Sequence, residues 1–130
     1  MNIENLVMIN FFGEGYYSGN TESQTMIVDK NFYEQYQDEI NNYQPTFHEL
    51  DGKHSTVIGT LSVNVVTKEN LSHVVSRVLE DDFYPVSECL MWELSAPQEI
   101  LEKQDKVHET FESLCKVETT VKYYYNGEEI

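Results

Sequence analysis

Acidic side chains outnumber basic ones by almost three to one in this chain, 23 Asp and Glu against 8 Lys and Arg, for a formal net charge of −15 over 130 residues. A small domain stays soluble with a net charge of about 2 to 8 in magnitude. Self-repulsion on the larger scale costs stability, so the fold must be held by a well-patterned apolar core. The same field repels nucleic acid, anionic membrane and other acidic proteins, and it draws basic surfaces. Direct nucleic-acid binding is thereby disfavoured, and a basic protein partner is favoured.

The length suits a single domain over 1–130. Forty per cent of the residues are apolar, with nine Tyr and six Phe, enough to build a core. High net charge with modest hydrophobicity is also the mark of disorder, but only three Pro and six Gly are present and the apolar residues are periodic. Residues 1–8 lack the basic and apolar regions of a secretory signal, and no segment approaches the ~20 apolar residues of a membrane span. A cytoplasmic protein is the expectation, with Cys89 and Cys115 as reduced thiols.

Local patterns suggest the order ββαββαβαβ. The run 6–12 (LVMINFF), bounded by Gly13-Glu14-Gly15, reads as a buried strand and a turn. Residues 25–28 suggest a second strand. Asp29 suits an N-cap for a helix over 31–43, with Phe32, Tyr36, Ile40 and Tyr43 at helical spacing. Asp51-Gly52 is the strongest local turn signal and suggests a hairpin over 46–66, in which Gly59 marks a bulge or a close backbone approach. Thr67 can cap a helix over 68–79 whose apolar stripe is Leu71, Val74, Val75 and Val78. A strand around 88–94 follows. Pro97 opens a third helix running to about Cys115, with Ile100, Val107, Phe111 and Leu114 on one side. Residues 117–125 are rich in β-formers and read as a last strand. The expected fold is α+β: a largely antiparallel sheet of about five to six strands, with three helices on one face.

The acidic residues supply the candidate site. Glu99, Glu102, Asp105, Glu109 and Glu112 share one sector of the third helix, and steps of three and four residues set successive carboxylates roughly 4.5–6 Å apart along its axis. That spacing resembles the charge repeat of a nucleic-acid strand. A solvated outer face is the ordinary use of such a row, and Glu99–Lys103 and Glu102–Lys106 form favourable i,i+4 pairs that neutralise part of it. Glu80, Asp81 and Asp82 form a second acidic run. Tyr124, within Tyr123-Tyr124-Tyr125, offers an aromatic contact of the kind enriched at interfaces.

Other chemistry finds little support. His48 and His54 flank Asp51 and could face each other across the hairpin, but their spacing is not that of a helical two-histidine metal motif. No nucleophile motif, Walker loop or dinucleotide fingerprint is present. The expectation is therefore a non-enzymatic protein without cofactor. It would dock its acidic surface on a basic partner, a nuclease or a nucleic-acid-binding protein. DNA-mimicking anti-restriction and anti-CRISPR proteins and toxin-immunity proteins share this physical profile. The alternative is a small phage or bacterial interaction module that self-associates, as in a homodimer, with the acidity serving solubility; a small metal-dependent enzyme using the His48–His54 region is a further, less favoured reading.

Overall fold

The computed structural model describes residues 2–15, 21–42, 57–81, 83, 85, 87, 94–119 and 121–130. After a 3-10 turn at Ile3–Asn5 come β1 (Leu6–Gly15), β2 (Thr21–Asp29), α1 (Lys30–Gln35), α2 (Gln37–Asn41) and β3 (Val57–Val65). They are followed by α3 (Leu71–Glu80), α4 (Gln98–Ser113), β4 (Cys115–Glu118), β5 (Lys122–Tyr125) and β6 (Glu128–Glu129). The class is α+β. The described strands form two antiparallel three-stranded sheets, ordered β2-β1-β3 and β4-β5-β6, where the sequence suggests one. Four described α-helices stand in place of three, and no described helix is long and apolar enough to cross a membrane.

β1 is the central strand of the first sheet, and both of its faces are buried from Leu6 to Ile9, whereas further along Phe11 stays buried and Phe12, on the other face, is 43% exposed. Val7, Ile9 and Phe11 pack with Met26, Val28 and the α1–α2 side chains Phe32, Tyr36 and Ile40. Leu6 and Met8, on the other face, pack with Ile27, Phe111 and the α3 stripe. Helices therefore cover both faces, not one. Two-sided burial is also why Leu6 to Ile9 reads as a continuous apolar run instead of an alternation. Each large side chain so buried contributes about 1.5–3 kcal/mol, and these two clusters are what offsets the self-repulsion of the surface. β1 continues through Gly13-Glu14-Gly15, where the sequence suggests a turn. Gly13 lies directly opposite Gly59 in an unbroken register, so Gly59 marks a glycine pair and not a bulge.

The helix expected over 31–43 is two short helices, broken at Tyr36 (φ −111°, ψ 20°) with Phe32, Tyr36 and Ile40 inward. Helices this short are not stable alone, and the packing of those three side chains holds them. Tyr43 lies outside the described residues. So do the first arm and the Asp51-Gly52 turn of the expected hairpin; the remaining arm, β3, pairs with β1. Residues 88–93 of the expected 88–94 strand also lie outside, and Leu94 has irregular backbone.

α3 buries Leu71, Val74, Val75 and Val78 as its spacing predicts. Its N-cap is Asn70, which exchanges hydrogen bonds with Thr67. The Thr67 N–H donates to Asn70 Oδ1 (2.8 Å) and the Asn70 N–H donates to Thr67 Oγ1 (3.2 Å).

The segment expected as one strand over 117–125 is a hairpin. β4 starts at Cys115, the chain reverses between Glu118 and Lys122, and Asn126-Gly127 makes a second reversal into β6. Asn126 (φ 53°) and Gly127 (φ 80°) have the two positive φ angles of a two-residue type I′ turn. At the first reversal Val121 has φ 60° with 71% of its surface exposed. A side chain in the left-handed region costs roughly 1–2 kcal/mol, and glycine at the same place costs about 0.5–1 kcal/mol in chain entropy. Val121→Gly is therefore expected to stabilise the fold by about 0.5–1 kcal/mol, read as a higher urea midpoint. An unchanged or lower midpoint would contradict a strained Val121.

Candidate functional site

α4 lies along the free edge of β2, and its inward face explains its outward one. The buried positions are Leu101, Gln104, His108 and Phe111, so the helix is rotated from the Ile100–Val107–Phe111–Leu114 stripe that hydropathy suggests. Two of the four are polar because they satisfy edge backbone. Gln104 Oε1 accepts from the Asp29 N–H (2.8 Å) and His108 Nδ1 accepts from the Ile27 N–H (3.0 Å). Four helical residues rise about 6 Å and two strand residues about 6.6 Å, so the two acceptors match alternate edge amides in step. An uncapped edge is a template for aberrant strand pairing; here the helix closes it. Gln104 Nε2 also donates to Asp29 Oδ2 (3.3 Å), which occupies the carboxylate of the α1 N-cap residue and leaves that cap without a side-chain bond.

His108 is 1% exposed. Because Nδ1 is an acceptor, the neutral ring carries its proton on Nε2. That atom points towards Glu112 Oε2 at 3.4 Å without making an aligned hydrogen bond. Phe83 stacks on the ring at 3.7 Å and 6°. Burial pushes the imidazole pKa down to about 4.

With that face fixed, Glu99, Glu102 and Glu109 stand exposed on the outer side of α4, and Glu112, also exposed, flanks the buried His108. Asp105 does not stand with them. It is half-buried and accepts from the Ser87 N–H (3.3 Å) and the Ser87 hydroxyl, tying the preceding segment to the helix. The expected Glu99–Lys103 and Glu102–Lys106 ion pairs do not form: among the described residues the ion pair is Arg77–Asp81, and Glu112 faces a neutral His108. The carboxylates of Glu99, Glu102 and Glu109 therefore pair with no described cation.

The second acidic run divides. Glu80 is exposed and takes a long contact from the Tyr123 hydroxyl (3.5 Å). Asp82 lies outside the described residues. Asp81, named with them as a partner-binding residue, turns inward: its side chain is 4% exposed and ion-paired with Arg77, the chain's one arginine. Asp81 Oδ2 also accepts from Thr25 Oγ1 (2.6 Å), Ser23 Oγ (2.9 Å) and Asn10 Nδ2 (3.3 Å). Burial opposes the charged form, but the hydrogen bonds from Arg77, Thr25 and Ser23 outweigh it and hold the carboxyl below its usual range. Asp81 thus fastens the C-terminal end of α3 to the first sheet and is withdrawn from any partner. That role is also why an acid is tolerated at a helix end that favours cations. Nothing in hydropathy separates Asp81 from its neighbours; the readable signal is a lone arginine four residues before it.

Tyr124 is half-buried on the outer face of the second sheet, where partial desolvation, a hydrogen bond to Glu118 and the charges of Glu118 and Glu129 raise its phenol pKa. Burial, aided by Glu112, pushes the Cys115 thiol up to about 12, so it is not a thiolate nucleophile. Cys89, His48, His54 and Asp51 lie outside the described residues. Among the described residues no group of three or more His, Cys, Asp or Glu side chains is placed to hold a metal ion.

Fold and surface together define an acidic α+β protein with a carboxylate-lined helix. No protein-family model, curated protein or solved structure matches the chain.

Proposed function

We propose that this is a non-enzymatic binding protein that docks its acidic surface on a basic partner, at a site that otherwise holds nucleic acid. The observation that carries the reading is the outer face of α4, where Glu99, Glu102 and Glu109 are exposed without an ion pair to any described residue. From Glu99 to Glu109 the row is about 15 Å long, longer than the roughly 8 Å Debye length of physiological salt. A partner's cations would have to meet it in register, not merely sense it at a distance. The whole-chain charge of −15 adds steering and speeds the encounter. The inhibitor and immunity types named above use this physics. The protein needs no cofactor for it, and cytoplasmic nucleases or nucleic-acid-binding proteins are the natural partners.

Neutralising the row tests the reading. The triple variant Glu99→Gln/Glu102→Gln/Glu109→Gln touches no described internal hydrogen bond, so its thermal midpoint should stay with the wild type. Its affinity for the basic protein that the wild type retains at low salt should fall at least tenfold, about 1.4 kcal/mol. Retention equal to the wild type would remove α4 from the interface.

A further inference from the structure

Residues of α1 and α4 line a cleft of about 440 Å³, within the size range of small-molecule sites. Phe32 and Ile100 give it apolar walls. Asp29 and the buried Gln104 form a third side, fixed to each other by the two hydrogen bonds they exchange. Lys30, from the first turn of α1, and Lys103, from α4, complete the lining at its cationic end. The two lysines are the unexpected feature. Carboxylates outnumber cations almost three to one in this chain, yet neither lysine pairs with a described carboxylate. Two of the chain's 8 cations thus meet unpaired at one cleft.

The lining selects both the sign and the size of a ligand's charge. Two ammoniums and one carboxylate leave a formal excess of one positive charge, and the Asp29 carboxylate already accepts from Gln104. A monoanion balances that excess, whereas a dianion would overshoot it beside Asp29. The chain's −15 repels anions as a whole, but exposed charges more than roughly 8 Å away are largely screened at physiological salt, and the two ammoniums act at contact range. A carboxylate between them would take charge-assisted hydrogen bonds, about twice as strong as neutral ones. The apolar walls call for an apolar body. We infer that the cleft between α1 and α4 binds a small organic monocarboxylate, its carboxylate held by Lys30 and Lys103 and its body set against Phe32 and Ile100. At 100° per residue Ile100, Lys103 and Gln104 form one flank of α4, and Glu102 and Glu109 project from another. The site is therefore separate from the acidic docking face and does not rest on that reading.

Three probes test it, each titrated into the full chain and followed by backbone amide shifts: benzoate, its neutral isostere benzamide, and inorganic phosphate at about pH 8, where it is mainly a dianion. Benzoate should shift Lys30, Asn31, Phe32 and Lys103, and should bind at least fivefold more tightly than either of the others. The variant Lys30→Met/Lys103→Met keeps the aliphatic stems and breaks no described hydrogen bond or ion pair. It should hold the wild-type thermal midpoint and bind benzoate no better than benzamide. Lys116→Met/Lys122→Met removes the same charge elsewhere and should leave benzoate affinity within twofold of the wild type. Equal affinity of the wild type for benzoate and benzamide would overturn recognition of the anion. Equal losses in the two double variants would reduce the effect to net charge and overturn the site. Tighter binding of phosphate would overturn the monocarboxylate in favour of a dianion. Absence of shifts at Lys30 and Lys103 with benzoate would overturn the inference outright, and none of these results bears on docking through α4.

Discussion

Asp81→Ala should lower the stability of the fold by about 3 kcal/mol. Removing one partner of a buried ion pair usually costs roughly 3–5 kcal/mol, because the other charge is left without compensation. Arg77 is about one-third exposed and can turn towards water, which places the effect at the lower end. Three further donors, on Asn10, Ser23 and Thr25, lose their common acceptor. For a domain of this length a loss of about 3 kcal/mol lowers the thermal midpoint by roughly 10 °C, which circular dichroism would show. Glu80→Ala, one residue away but exposed, should stay within about 0.5 kcal/mol of the wild type. Equal midpoints for the two variants would contradict the anchoring role. The network also has a definite acid signature. The Asp81 carboxyl is held below its ordinary range, so its contribution is complete above that range and is lost as pH falls through the depressed folded value.

His108 has a second and higher pH window. Its pKa falls from an ordinary 6.5 to about 4 on folding. The unfolded chain therefore takes up the proton first, and stability declines as pH drops from about 6.5 to about 4, then levels. A shift of this size corresponds to about 3 kcal/mol. Charging the ring would also cost the hydrogen bond from the Ile27 N–H. The one carboxylate facing Nε2, that of Glu112, is exposed and too well solvated to reverse the sign. Protonation of surface carboxylates relieves self-repulsion and acts in the opposite direction, but mainly below about pH 5. Urea unfolding at pH 7 and at pH 5 separates the two effects. The wild type should lose stability across that step. His108→Leu should start lower by about 1–3 kcal/mol, because the Ile27 N–H is left unpaired, and should then change little. Parallel losses in both proteins would contradict a neutral, buried His108.

What the sequence revealed, and what it hid, follows from which forces leave a local trace. The buried strand at 6–12 and the stripe Leu71, Val74, Val75 and Val78 were legible because burial repeats at the period of the element. The extent of α4 was nearly right, but its rotation was hidden: Gln104 and His108 face inward to cap the edge of β2, a demand that exists only once the strand lies beside the helix. Helices on both faces of the first sheet were implicit in the apolar stretch Leu6-Val7-Met8-Ile9, yet the hairpin signals suggested a one-sided sheet. The C-terminal hairpin was masked by its own turn residue, since a β-branched valine at φ 60° is the last residue propensity would place there. Asn126-Gly127 carried the ordinary turn signal, but it sat in a tail whose acidity suggested only solvent exposure.

The acidic surface was legible as a total and not as a pattern. Composition marks an excess of carboxylates without saying which ones the fold uses internally. Asp81 and Asp105 are taken up by hydrogen bonds to the sheet and to Ser87, whereas Glu99, Glu102 and Glu109 remain outward.

Competition tests the central claim most directly. The basic partner retained at low salt is bound to this protein at fixed concentration, and duplex DNA is titrated in. Docking at a nucleic-acid site predicts mutually exclusive binding, with DNA displacing the protein fully and the affinity of the pair falling steeply as salt rises. A ternary complex with DNA, or an affinity that does not change with salt, would contradict it.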